Sequence, residues 1–166
     1  FWIELDGINP AQEYRYQYHV MPNDARFADP FAEKQLDFWN DPWIPESTYP
    51  FLIGFPDEAD AQAPVSVFKT DPTPFNWTDG QFDRPEQENL VIYELLVRDF
   101  SDERTFDFIL DTLDYLAGLN VTALDLMPVN EFNGNDSWGY NPSFYFAVDK
   151  AYGPKAKLQA LVDACH

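Results

Sequence analysis

Four oxygen-bearing side chains, Asn130, Asn133, Asn135 and Asp136, crowd one short stretch, and hard oxygens of this kind are what calcium coordinates. Turn chemistry uses the same residues without an ion, because Asn and Asp bond their own backbone and tolerate left-handed conformations. Glu94 and the pair Arg98-Asp99 stand in and just after an apolar run. A structural ion pair or hydrogen bond that holds a loop is expected there ahead of catalysis. Trp2, Tyr14, Tyr16 and Tyr18 offer apolar ring faces on which a sugar could stack, yet alternating aromatics on a strand more commonly pair across it or fill a core. The single Cys165 excludes an internal disulfide and a multi-cysteine metal site. His19 and His166 are too few and too separated for a histidine metal cluster, and no partner for His166 is visible in the sequence.

The chain has 166 residues, 45% of them apolar and 17% aromatic, enough for one medium domain or pieces of two. Ten Lys plus Arg against 29 Asp plus Glu give a net charge of −19, so a polyphosphate partner would be repelled and nucleic acid is set aside. No run approaches the ~20 apolar residues that cross a bilayer, and no basic amphipathic stretch suits its surface, so no membrane partner is expected. Both ends read as cut: Phe1 opens inside an apolar, strand-like run, and a helical pattern stops at Cys165-His166 without a stop signal.

Residues 14–20 alternate aromatic and polar positions, the period of a half-buried strand. Asp6-Gly7 and Asn9-Pro10 punctuate between this strand and an earlier one, which suggests an antiparallel pair. Eight of the fourteen prolines fall in residues 41–85, a density that neither helix nor long strand survives, leaving an extended connector with one short strand at 65–68. Trp39, Trp43 and Trp77 are expected to pin this connector to the unit that follows. Residues 90–97 then form a near-continuous apolar run, as in a parallel strand covered on both faces. Phe106, Ile109, Leu110, Leu113, Leu116 and Ala117 mark an amphipathic helix of about three turns, closed near Gly118. A second apolar strand covers 121–129, a long loop runs from Asn130 to about Gly153, and a helix could begin at Pro154. This βαβα order predicts an α/β fold with a parallel sheet.

The words within these elements are specific. Residues 91–100, Val-Ile-Tyr-Glu-Leu-Leu-Val-Arg-Asp-Phe, resemble the first barrel strand of glycoside hydrolase family 13, the α-amylase family. Residues 121–129, ending Met-Pro-Val, resemble its second strand; Trp138-Gly139-Tyr140-Asn141-Pro142, Asp149, Tyr152-Gly153 and residues 161–166 resemble the loop and helix that lead to the third. Arg26-Phe27-Ala28-Asp29-Pro30-Phe31 is more loosely similar to the end of a β-sandwich akin to a family 48 carbohydrate-binding module.

The resemblance implies a truncated (β/α)8 TIM barrel, its first two β/α units at 89–166, preceded by the C-terminal part of an all-β sandwich at 1–36 and a Pro-rich connector at 37–88. It implies a starch- or glycogen-acting enzyme with a retaining mechanism, whose nucleophile, acid/base and third catalytic carboxylate lie beyond His166, so no catalytic residue is assigned within the chain. An α-glucan polysaccharide or oligosaccharide is the implied partner, and calcium is the one implied ion. Tyr140 then sits on the loop after strand two and stacks on the sugar, Trp138 lines the cleft, and Asn141 stands where many members carry Asp. The rival expectations are a non-catalytic glucan-binding or interaction module and a branching-type transglycosylase. The acidic balance fits a secreted or periplasmic enzyme on a neutral polymer, and it fits acidic cytoplasmic proteins too.

Overall fold

Tyr14, Tyr16 and Tyr18 do alternate, but the chain does not continue as one strand through them. In the computed structural model, which describes residues 2–57, 59, 61 and 63–166, the expected strand divides at Gln17 into β1 (Tyr14–Tyr16) and β2 (Tyr18–Val20). The Gln17 amide donates to the carbonyls of Ala63 and Pro64 at 3.0 and 3.2 Å, so the chain is tied off at that point and changes sheet. β2 pairs antiparallel with β3 (Ala25–Phe27). β1 pairs with β5 (Val65–Phe68), which also pairs with β4 (Gln35–Leu36), giving the order β1-β5-β4. The earlier antiparallel partner expected for β1 is therefore replaced by the short connector strand, and residues 2–5 form no strand.

β5 is central because its Val65, Ser66 and Val67 are all buried, with apolar contacts to Leu36, Leu52, Ile53 and Phe55 on one side. Ser66 is made tolerable by hydrogen bonds, donating to Gln35 Oε1 at 3.0 Å and accepting from the Asp29 N–H at 2.7 Å. The connector tryptophans do not pin it as expected. Trp39, Trp43 and Trp77 stay exposed, and the ring pairs of Trp39 with Phe38 and of Trp77 with Phe75 both lie within the connector itself.

The second half follows the βαβα order. β6 (Ile92–Leu95) and β7 (Ala123–Leu126) are parallel, with Ile92 opposite Ala123 and Leu95 opposite Leu126. The apolar run 90–97 is shorter as a strand than expected, since Val97 already opens a helical turn, α1 (Val97–Phe100). The amphipathic helix is split into α2 (Phe106–Asp111) and α3 (Leu113–Gly118). Thr112 explains the break: its hydroxyl donates back to the carbonyls of Phe108 and Ile109 at 2.9 and 3.0 Å, a competition with the helical ladder that bends helices. Thr105 caps α2 by accepting from the Phe108 N–H at 3.2 Å.

Residues 130–153 are not a loop throughout. They contain an antiparallel hairpin of β8 (Asn130–Phe132) and β9 (Pro142–Val148), with register shifts either side of Glu131. The aromatic and β-branched content of 142–148 carries that strand signal. Pro154 precedes rather than opens α4 (Lys155–Cys165). Leu95, Val97, Phe106, Ile109, Phe132, Tyr152 and Leu161 close into one core beneath the strands. Full burial of a ring such as Phe106 contributes roughly 2–3 kcal/mol. No described helix is long and apolar enough to cross a membrane.

Candidate functional site

The C-terminal ends of the parallel strands point the same way, and open α/β sheets bind ligands beyond those ends. There the chain leaves β6 into α1 and leaves β7 through Met127, whose N–H still bonds to the Leu95 carbonyl at 2.9 Å. The loop carrying Trp138, Tyr140 and Asn141 is fastened to both exits. On the β6 side, Arg98 holds Asp99 at 2.6 Å and reaches Asp136 of the loop at 2.9 Å, while Arg104 approaches the other Asp136 oxygen at 3.5 Å. The Arg98 guanidinium, donating to Asp99, keeps that carboxyl below the usual range.

On the β7 side the fastening is steric. Gly139 has φ +85°, and a Cβ there would stand 2.1 Å from the Pro128 carbonyl oxygen, so only glycine lets the loop backbone lie on the strand's exit. Ser137 links the loop internally: its hydroxyl donates to Asn141 Oδ1 and accepts from the Gly139 N–H at 3.0 Å. The Tyr152 hydroxyl donates to the Ser137 carbonyl at 3.4 Å. Tyr152 is itself set edge-on against Phe106 and Phe132, so the loop rests on the core. With its backbone held, the loop turns two rings outward: Trp138 is 61% exposed and Tyr140 66%. Asn141 is exposed and engaged with Ser137. Such an arrangement can stack on a ligand and exclude water from one face of it.

The other sequence candidates fall elsewhere. Arg98 and Asp99 do pair, but Asp136, read as a calcium donor, is the third member of their cluster. The Asn130 amide donates to the Tyr145 carbonyl at 2.7 Å and the Asn135 amide to the Asn40 carbonyl at 2.6 Å. These donors serve separate contacts and the one acid among them faces two guanidinium groups, so they do not fit a calcium cage. His166 does have partners, Asp79 Oδ2 at 2.8 Å and the Phe82 ring stacked at 4.2 Å. Tyr14 and Tyr16 pack on Phe68 across the sheet, Tyr16 and Tyr18 both donate to Asp29 at 2.8 and 3.1 Å, and Trp2 is exposed.

A second charged group, behind the loop, was not visible in the sequence. Lys150 is buried against Glu131 and lies 3.3 Å from Asp41, with Asp149 adjacent. Asp149 accepts from the Phe132 and Ala151 N–H groups at 3.0 and 2.8 Å, which fixes the turn after β9. Burial, opposed in part by Lys150, pushes Glu131 up to about 7; burial, opposed by those two N–H groups, pushes Asp149 up to about 6. Burial also raises Asp41, against the pull of Lys150. For Lys150 burial works to lower the pKa, but the Glu131 and Asp41 carboxylates outweigh it and the ammonium is held charged. The cluster spans more than 100 residues of sequence, from Asp41 to Lys150, so no local spacing could have revealed it.

Comparison with known proteins gives the family. The chain is 40% identical over 118 residues to a malto-oligosyltrehalose trehalohydrolase from Rhizobium sp. (strain M-11), covering 69% of this chain and 20% of that protein. It is 29% identical over its whole length to a malto-oligosyltrehalose trehalohydrolase from Saccharolobus solfataricus, of which it covers 25%. Among solved structures, the catalytic module of the glycogen-degrading pneumococcal virulence factor SpuA superposes with a TM-score of 0.65 at 25% identity, over 93% of this chain and 26% of that one. The chain thus spans about a quarter or less of the length of these relatives. Residues 72–166 match the family described as alpha amylase, catalytic domain, and with more than half its length in that match the chain belongs to the alpha-amylase family of glycoside hydrolases.

Proposed function

We propose that the protein to which this chain belongs hydrolyses α-glucosidic bonds in malto-oligosyl chains of the starch and glycogen type. The observation that carries this reading is the loop 133–141, fixed at the exits of two parallel strands and presenting Tyr140 outward. In this reading β6, β7 and their helices are the first two units of a (β/α)8 barrel within 89–166, and residues 1–36 are the end of a β-sandwich. The connector 37–88 lends β5 to that unit's sheet. Tyr140 is a stacking platform for a glucosyl ring, Trp138 borders the same cleft, and Asn141 holds the loop through Ser137. The acid and nucleophile come from chain outside residues 1–166, as a retaining mechanism needs two carboxylates about 5–5.5 Å apart. The trehalohydrolase relatives favour malto-oligosyltrehalose as the first substrate to try and hydrolysis over branching.

The test is sugar release from malto-oligosyltrehalose and from maltoheptaose by the complete gene product and its Tyr140→Ala variant. We expect products of retained anomeric configuration, and a fall in kcat/KM of about tenfold or more for the variant. Binding without release would support a glucan-binding module instead, and longer or branched products would support the transglycosylase. Equal kcat/KM for variant and parent would remove Tyr140 from the site.

A further inference from the structure

Between β8 and β9, residues 134–140 make no backbone-to-backbone hydrogen bond among the described residues, so side chains must set where this stretch lies. Asp136 and Gly139 tie it to the exits of β6 and β7. A third tie leads away from both strands. The Asn135 amide donates at 2.6 Å to the carbonyl of Asn40 in the connector, 95 positions earlier, and both residues are half-buried. The acceptor is fixed in advance. Asp37 Oδ1 accepts from the Trp39 and Asn40 N–H groups at 2.8 and 2.7 Å and from the Asn40 amide at 2.9 Å. The Asn40 carbonyl also accepts from the Trp43 N–H at 3.1 Å, closing a short helical turn, Asp41–Trp43, in which Pro42 has its φ locked by its own ring. Asp41 accepts from the Asp37 N–H at 3.0 Å and lies 3.3 Å from buried Lys150, which seats the whole turn against the rear of the loop.

The tie falls where the loop is otherwise least held. Behind it, the Phe132 N–H is fixed on Asp149 at 3.0 Å. Ahead of it, Asp136 is 64% exposed at the side chain, and exposed ion pairs restrain little. The arm between these two points therefore depends on Asn135. A hydrogen bond to an acceptor that is already placed adds order on the loop's side alone, so it sets the loop's position rather than the turn's. We infer that Asn135 is a positioning residue: through its amide, the Asp37-capped turn of the connector fixes the leading arm of the loop and with it the placement of Tyr140. That Tyr140 meets a glucosyl ring rests on the proposed function; the tie between loop and connector does not. The connector is then part of the frame of the site and not only a link between two units.

A double-mutant cycle in the complete gene product tests the inference, with Asn135→Ala and Tyr140→Ala made singly and together and sugar release from maltoheptaose as the readout. We expect Asn135→Ala to lower kcat/KM by about threefold to tenfold. The double variant should lose within about twofold of what Tyr140→Ala loses alone, because a misplaced ring and an absent ring fail in the same way. Asn135→Asp keeps the shape and removes the donor, so it should lose at least as much; it also stands in should the alanine variant fold poorly. Chymotrypsin gives a readout that needs no activity: cleavage after Trp138 and Tyr140, mapped by mass spectrometry, should quicken by about threefold or more in either Asn135 variant while cleavage elsewhere keeps its rate. Losses that multiply in the double variant would make Asn135 a stabiliser of the fold alone and overturn the inference, as would kcat/KM equal to the parent's. If the parent releases no sugar, the proposed function fails, and quicker cleavage in the loop leaves the tie standing. Sugar release with cleavage and kcat/KM both unaltered in the Asn135 variants does the reverse.

Discussion

Arg98, Arg104, Asp99 and Asp136 set two cations against two acids in front of the candidate loop; Lys150, Glu131, Asp41 and Asp149 set one cation against three acids behind it. In the front cluster the Asp99, Asp136 and Arg104 side chains are more than half exposed. In the rear cluster Lys150 is 3% exposed and Asp41 9% at the side chain, and Glu131 Oε2 is buried without a partner among the described residues. Similar ion pairs therefore carry different weight. Water can replace any partner lost from the front cluster, whereas a charge stranded in the rear cluster has nothing to turn to. The front pairs aim the loop, and the rear group joins the connector at Asp41 to the strand at Glu131 and the turn at Lys150.

Removing the rear cation should separate the two most. Lys150→Met leaves Glu131, Asp41 and Asp149 buried around an apolar side chain, and loss of one partner of a buried pair costs about 3–5 kcal/mol. Urea unfolding at pH 7 should show the drop. A midpoint within error of the parent's would mean that the three acids are already neutral or hydrated, and the contrast would fall.

Proton linkage gives the next largest effect. Burial raises Glu131 in the folded chain to about 7 from its ordinary 4.5, with Lys150 pulling the other way. Its contribution is fully present below the unfolded value and is lost as pH rises through about 7; Asp149 acts in the same sense from 3.8 to about 6. Stability measured by urea midpoint should thus decline between about pH 4 and 7 on account of these groups. Glu131→Gln removes one of these titrations, so its stability should fall less steeply with rising pH than the parent's, on top of the constant loss from taking a charge away from buried Lys150. An unchanged slope in the variant would place the proton elsewhere.

What the sequence makes legible follows the range of each interaction. β6, β7 and α4 could be read because apolar runs and helical spacing are local, and the place of Tyr140 on the segment after β7 because a contiguous word contains it. The break at Thr112 hinged on one hydroxyl choosing a backbone carbonyl, and the break at Gln17 on an amide reaching residues 63 and 64, neither of which periodicity registers. β8 is three residues long and is a strand only because β9 pairs with it. Asp136 was legible as an oxygen donor and illegible as a partner of Arg98, since the two are 38 positions apart. The rear cluster required Asp41, Glu131 and Lys150 to be known as neighbours beforehand.

The smallest effect on stability, and the most telling for function, belongs to Arg98→Ala. Its partners stay hydrated although the Arg98 side chain is itself only 18% exposed, so the unfolding free energy should fall by no more than about 1 kcal/mol, well short of the Lys150→Met loss. The loop, however, loses its tie to the β6 exit and keeps the one at Gly139 on Pro128. Tyr140 then hangs from a single strand, and a ring that must sit within a fraction of an ångström of its sugar is misplaced. In the complete gene product we expect kcat/KM on malto-oligosaccharides to fall several-fold while the melting curve moves far less than in Lys150→Met. A matched loss of both would make Arg98 a stabiliser of the fold like Lys150, and the division between an aiming cluster and a joining cluster would be wrong.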